Sequence, residues 1–292
     1  MLVAGRLRKE RALALWFETR QQTSTFLWFD LSVLVAAACL DFVLGDPWGW
    51  PHPVQAMGWT IDVYCKGAFA RRRPPWVMKA LGIGLSLLLV GGSAIISEFG
   101  LRLLTQISPV LRWLAEVILL ASCLAGRSLR RAAEDVLSAL EGSDLISSEP
   151  EASEDSLSIA RQRLAMYVGR DTQQLSPLEI RRAVLETVSE NSIDGVLAPL
   201  FFAIVGGLFG FAVPTALAYK AASTLDSMVR YKTAPYTDLG WCSARLEDTL
   251  TWLPCRLSVL AIALLSGRPV HVLPLCRRDA RADPSPNSGW SE

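Results

Sequence analysis

Histidine is nearly absent, with only His52 and His271 in 292 residues, and a metal centre built from imidazoles is excluded. The six cysteines (Cys39, Cys65, Cys123, Cys242, Cys255 and Cys276) are scattered and form no C-x-x-C. That spacing supplies neither a zinc site nor a disulfide frame, and the cysteines read as reduced packing residues. No G-x-x-x-x-G-K-[ST] occurs, and "GGLFG" at 206–210 lies within an apolar run, so there is no conventional phosphate loop. Charge of one sign is also lacking. The net charge is +1, so no overall field draws nucleic acid to the chain. There is no internal repeat and no useful length of β-type alternation, which points to an all-α fold.

What is present is apolar. Hydrophobic residues make up 51% of the chain and charged ones 20%, with a mean hydropathy of +0.30. These values exceed those of a soluble domain but fall short of a bare bundle of membrane helices. The reading is a polytopic integral membrane protein with four to five transmembrane helices and helical polar loops. A span needs about 20 apolar residues. Ala80–Ser97 and Gly195–Tyr219 carry no charge, whereas Phe26–Gly45 contains Asp30 and Asp41, Trp113–Gly126 contains Glu116, and Leu257–Gly267 follows Arg256. Residues 1–25 are basic, and their apolar run "ALALWF" is too short for a signal-peptide core. They are read as a disordered extension before a single domain, 26–292. Lys and Arg cluster at Arg71–Arg73 and Lys79 but are sparse in Glu98–Arg112, which reads as a short loop. The positive-inside rule then places Asp46–Lys79 and Arg127–Asp194 in the cytoplasm, although the basic N-terminus falls on the opposite side if Phe26–Gly45 spans.

Three constellations carry possible chemistry. Glu186, Glu190 and Asp194 recur every four residues directly before an apolar run, forming one acidic stripe on a helix. A solvated helix face is the bland explanation. The adjoining Asn191 and membrane segment favour a site instead, and such oxygen ligands suit Mg²⁺. The second constellation, "YKAASTLDSMVRYKTAPYTDLGWCSARLEDTLTWLPCR", sets Lys220, Lys232 and Arg245 among Asp226, Asp238 and Asp248. Lysines snorkelling to lipid phosphates would explain Lys232 but not Asp226. The third, "LDFVLGDPWGWPHPVQAMGW", holds Asp46 and His52 in turn chemistry beside Trp48, Trp50 and Trp59, which could equally form an interfacial belt. In the polar region after residue 127, one amphipathic helix is followed by two more. The last starts at Pro177, with Ser176 as N-cap and Glu179 completing a capping box. Pro199, Pro214 and Gly206–Gly207 interrupt Gly195–Tyr219, so a break near Gly206 is expected, folding the run back to bring Glu190 and Lys220 to one side.

Taken with "GRSLRRAAEDVLSAL", "YVGRDTQQLSPLEIRRAVLETVSENSIDGVLAPLFF" and "RRDARADPSPNSGW", these motifs resemble the adenosylcobinamide-phosphate synthase (CobD/CbiB) family of cobalamin-biosynthesis membrane proteins, from Leu31 to Glu292. The resemblance implies an acid–amine ligase joining adenosylcobyric acid to (R)-1-amino-2-propanol or its O-phosphate. Amide formation from a free carboxylate needs activation, so ATP and Mg²⁺ are the expected cofactors. Under this resemblance Glu186, Glu190, Asp194 and Asp226 are catalytic candidates, with Glu186 and Glu190 as metal ligands. Asp46, His52, Asn191, Lys220, Lys232, Arg245 and Asp248 are substrate-binding candidates. The expected setting is a cell membrane with the site facing the cytoplasm. The partners implied are the two substrates, the lipid bilayer and other cobalamin-assembly membrane proteins, with no nucleic acid. Three departures stand out: the N-terminal extension, Arg230 where relatives carry Gly in "DSMVGYK", and an end after "SPNSGWSE" where relatives continue into an apolar segment. The alternative is a non-enzymatic signalling or scaffold protein of the related β-lactamase-induction family, which has no need of Glu186, Glu190 and Asp226 together. A small transporter would place its charges within the spans rather than at their ends.

Overall fold

The computed structural model describes residues 31–45, 52–141, 154–169, 171–230, 235–280 and 285–291. Among these the secondary structure is helical, without strands. The helices are α1 (Leu31–Val43), α2 (Pro53–Phe69), α3 (Pro75–Ile107), α4 (Pro109–Ala121), α5 (Gly126–Glu141), α6 (Glu154–Leu164), α7 (Pro177–Ser192), α8 (Ala198–Gly207), α9 (Ala212–Val229), α10 (Tyr236–Leu239), α11 (Trp241–Leu265), α12 (Pro269–Asp279) and α13 (Ser288–Ser291). Four helical runs are long and apolar enough to cross a membrane: Pro75–Ile107, Pro109–Leu140, Pro177–Gly207 and Trp241–Leu265. The chain is a multi-pass membrane protein, and α1 is a shorter apolar helix beside these runs. The basic N-terminal segment, the start of the first apolar run and the turn around Asp46 lie outside the described residues.

The segment Glu98–Arg112, expected as a loop, is helical up to Ile107. Arg102 pairs with Glu98 one turn away at 2.5 Å, which accommodates both charges on the helix surface. The break comes only at Ser108–Pro109. There proline cannot continue the ladder but suits the first turn of α4, and the Ser108 hydroxyl accepts a bond from the Val110 amide at 3.2 Å. Asp41, read from sequence as an interruption of the first apolar segment, is buried. Its Oδ2 accepts from the Gly126 amide at 3.0 Å and so anchors the start of α5.

Two hydrophobic cores divide the work. The larger joins α1–α4 with α8, α9 and Leu239 of α10, and α9 is its central helix, packed on α2, α3, α4, α8 and α11. Exposed Leu87, Leu88, Ile95, Ile96 and Phe99 on α3 face outward, as lipid contact requires. The smaller core unites α5, α6 and α7 through Val136, Leu157, Leu164, Ile180 and Val184. The expected capping box is present at α7, where Ser176 and Glu179 bond reciprocally and Pro177 occupies the first turn.

α7 does not run straight into α8. Residues Ile193–Leu197 form a π-helical turn, and the Gly195 carbonyl accepts from the Ala125 amide at 2.8 Å. The wider turn thus directs a backbone group to a neighbouring segment rather than up its own helix. The long uncharged run then breaks after Gly207 and returns as α9, as the Pro and Gly residues predict. A Cβ on Gly206 would lie 1.8 Å from Thr215 Oγ1 and 2.5 Å from the Phe211 carbonyl, so only glycine permits this approach. Gly210 closes the turn at φ 76°. The Thr215 hydroxyl lies 2.9 Å from the Phe202 carbonyl across the hairpin. Phe202 stacks on Tyr219 with ring centroids 5.0 Å apart.

Candidate active site

The α8–α9 hairpin brings the end of α7 beside the second half of α9, and the first half of α11 packs along α9. Side chains from these three elements and from residues 285–287 line a small pocket of about 40 Å³: Glu190, Asp194, Arg230, Glu247, Thr251 and Asn287, with Ile193, Cys255 and Ser285. Next to it is a cleft of about 770 Å³ walled by Trp241, Arg245, Asp248, Trp252 and Pro286. Arg230 lines both.

A hydrogen-bonded chain crosses the site. Tyr219 Oη is 3.4 Å from Asp194 Oδ1 and 2.9 Å from Thr251 Oγ1, and Thr251 donates to Glu247 Oε1 at 2.5 Å. Tyr219, Thr251 and Glu247 are buried. The spacing has a local cause: Glu247 and Thr251 are one turn apart on α11, so both face α9. Two hydroxyl protons serve three links, and filling all three places a third proton on one of the carboxyl groups, Asp194 or Glu247. The arrangement can hold and pass a proton between two carboxylates about two side chains apart.

Arg230 ends α9 and collects acids from two helices. Its Nη1 donates to Asp226 Oδ2 at 3.1 Å and to Glu247 Oε2 at 3.4 Å, while Nη2 donates to Asp248 Oδ1 at 2.9 Å. Burial works against its charge, but Asp226 and Asp248 outweigh that effect and hold its pKa above the ordinary guanidinium value.

The residues singled out from sequence separate into groups. Glu190 and Asp194 share the small pocket, and Asp226 and Asp248 join it through Arg230. Lys220 is one residue beyond Tyr219, within electrostatic range of Asp194. Arg245 lies in the cleft wall. Glu186 stands apart from the pocket lining, and its Oε1 accepts from Arg182 at 2.7 Å. Asn191 donates to the Thr187 carbonyl at 2.8 Å within its own helix. His52 caps α2, its Nδ1 accepting from the Val54 amide at 3.2 Å. Asp46 and Lys232 lie outside the described residues. Among the described residues no group of three or more His, Cys, Asp or Glu side chains could hold a metal, so these side chains do not fit a resident metal cage. Magnesium delivered on substrate phosphates would need only one or two carboxylates.

Several site residues were not assigned roles from the sequence: Tyr219, Glu247, Thr251 and Asn287. Glu247 was visible in "ARLED", and Thr251 follows it by one helical turn, a pairing that periodicity alone could have found. Asn287 belongs to the "SPNSGW" motif, which folds back onto α11. Its Nδ2 donates to the Asp248 carbonyl at 2.9 Å, and its Oδ1 accepts from Arg256 at 2.5 Å. Arg256 also donates to the Pro286 carbonyl at 2.7 Å and stacks between Trp252 and Trp290, 4.7 and 5.0 Å from their centroids.

Comparison with known proteins places this geometry in context. The family model described as CobD/Cbib protein matches residues 34–292. The chain is 48% identical over 262 residues to "Cobalamin biosynthesis protein CobD" of Synechocystis sp. (strain ATCC 27184 / PCC 6803 / Kazusa), covering 89% of this chain and 73% of that protein. It is 43% identical over 266 residues to the CobD protein of Yersinia enterocolitica, covering 90% and 78% respectively. It is 41% identical over 272 residues to "Cobalamin biosynthesis protein CbiB" of Salmonella arizonae, covering 87% and 75%. No solved structure matches the chain.

Proposed function

The chain belongs to the CobD/CbiB family, a family of cobalamin biosynthesis proteins, and from that membership and the site geometry we propose that it is the ligase that condenses adenosylcobyric acid with (R)-1-amino-2-propanol or its O-phosphate. The single observation that carries this reading is the junction of a 770 Å³ cleft with a pocket lined by Glu190, Asp194 and Glu247. An amide ligase needs room for an acyl donor beside a group that removes the amine's proton.

In this reading ATP transfers its terminal phosphoryl group to the substrate carboxylate, giving an acyl phosphate and ADP. The amine nitrogen then attacks the carbonyl carbon, the new C–N bond forms, and the C–O bond breaks with loss of inorganic phosphate. The proton released by the amine passes to a carboxylate of the pocket. The Asp194–Tyr219–Thr251–Glu247 chain offers two acceptors joined by hydroxyls. Trp241 and Trp252 supply flat apolar surface in the cleft, and Arg245 supplies charge for a phosphate or carboxylate. The cleft accommodates the propionate-bearing edge of a corrinoid rather than its whole ring. The site faces the cytoplasm of a cell membrane in this account, consistent with the basic cluster Arg71–Arg73 on one loop.

The test supplies purified protein with adenosylcobyric acid ¹⁸O-labelled in its free carboxylate, together with aminopropanol phosphate and Mg-ATP. The expected result is amide product with one ¹⁸O carried into inorganic phosphate. Absence of amide overturns the reaction, and amide without labelled phosphate overturns the acyl phosphate step.

A further inference from the structure

Five carboxylates, Glu190, Asp194, Asp226, Glu247 and Asp248, converge where the cleft meets the small pocket, and Arg230 is the cation bonded to three of them. Asp226 is 7% exposed and Glu247 5%, so their charges are poorly solvated and call for compensation. That compensation is incomplete. Asp226 Oδ1 is buried without a hydrogen-bond partner, while its Oδ2 and Glu247 Oε2 are bonded by the same Arg230 nitrogen. The guanidinium is not itself sealed in, since its side chain is 37% exposed. It is thus a cation held by acids at a wall between two cavities, with a route outward.

We propose that Arg230 is a displaceable latch over a cation subsite, and that the subsite takes the primary ammonium group of the amine substrate. This rests on the ligase reading given above. A volume of about 40 Å³ exceeds the roughly 10–15 Å³ that one water needs by the same measure, so the pocket has room for an ammonium head. An ammonium brings three donors, and Glu190, Asp194 and Glu247 supply acceptors around the pocket. The alkyl remainder then extends toward the cleft, where the acyl group sits. Arg230 is a positioning and specificity residue in this scheme. It competes with the amine for the same acids and sets how tightly that amine is held.

Isothermal titration of the full chain in detergent, with 1-amino-2-propanol, the uncharged 1,2-propanediol and Mn²⁺ as separate titrants, tests the latch. Removing a competing state raises apparent affinity by the reciprocal of the fraction left competent, so with the latch closed in about nine-tenths of the protein Arg230→Ala is expected to bind the aminoalcohol about tenfold more tightly than the wild type. Adding Glu247→Gln to that variant should abolish the gain, and 1,2-propanediol should show none. Should Arg230→Ala fail to fold, Asp248→Asn removes only the shortest of the three ion pairs and is expected to give a gain of about threefold. No gain in either variant, an equal gain for the diol, or a gain confined to Mn²⁺ overturns the proposal. Neither ATP nor corrinoid is present in this assay. Amine binding with these properties in a protein that forms no amide would therefore remove the ligase reading alone, and amide formation without the gain would remove the latch alone.

Discussion

Replacing Thr251 by valine keeps the side-chain shape and removes one hydroxyl from a buried position. Two links disappear together: the 2.9 Å contact with Tyr219 and the 2.5 Å bond to Glu247. Tyr219 keeps only its 3.4 Å contact with Asp194, and Glu247 Oε1 loses the donor described for it. A buried polar group left without its donor costs about 1–3 kcal/mol and the second lost hydrogen bond about 1 kcal/mol more, so Thr251→Val should destabilise the protein by roughly 2–4 kcal/mol. At about 2–4 °C per kcal/mol for chains approaching this size, the melting temperature should fall by roughly 5–15 °C. Intrinsic tryptophan fluorescence during a thermal ramp in detergent measures this shift. Thr251→Ser is the control: it retains the hydroxyl and should cost about 1 kcal/mol for the lost methyl. A valine variant melting within about 2 °C of the wild type, or a serine variant as damaged as the valine one, would refute the hydrogen-bonded chain.

Two further outcomes follow from the packing. In a cysteine-free background, Gln174→Cys before α7 and Ser227→Cys near the end of α9 should react with an impermeant thiol reagent from the same side of the membrane, because the chain turns back at 208–211. Labelling from opposite sides would contradict the hairpin. Arg256→Ala should free the 285–291 segment, which that side chain holds through two hydrogen bonds and its contact with the Trp290 ring. Limited proteolysis should then cleave there about tenfold faster than in the wild type, and an unchanged digestion pattern would show that the segment is held otherwise.

The helices and their punctuation were legible because they depend on local chemistry. Ser176, Pro177 and Glu179 announced the start of α7, and the glycine pair at 206–207 announced the fold-back. Two of the three acids in the stripe were legible for the same reason. Glu190 and Asp194 do meet, but the π-turn at 193–197 redirects the backbone after α7, and the Gly195 bond to Ala125 that accompanies it joins residues far apart in sequence. Glu186 fits the four-residue repeat equally well, yet Arg182 takes up its Oε1, a choice that spacing does not reveal. Arg230 stood out in sequence only as added bulk and charge beside the site. Its role as the cation shared by Asp226, Glu247 and Asp248 depends on α9 and α11 lying side by side. Asp41 and Asn287 were opaque for a related reason: each serves a backbone group on a distant element.

The most direct test of the central claim is the rate of amide formation from adenosylcobyric acid, aminopropanol phosphate and Mg-ATP, followed by mass spectrometry for three proteins. The wild type should form the amide, and Glu190→Gln should lose about a hundredfold or more in rate, the scale of a missing proton-transfer group or its neighbour. Glu186→Gln, altered outside the pocket, should stay within about twofold of the wild type, as a surface change does. Equal rates in all three, or no amide from the wild type, would contradict a ligase whose chemistry is centred on the pocket of Glu190, Asp194 and Glu247.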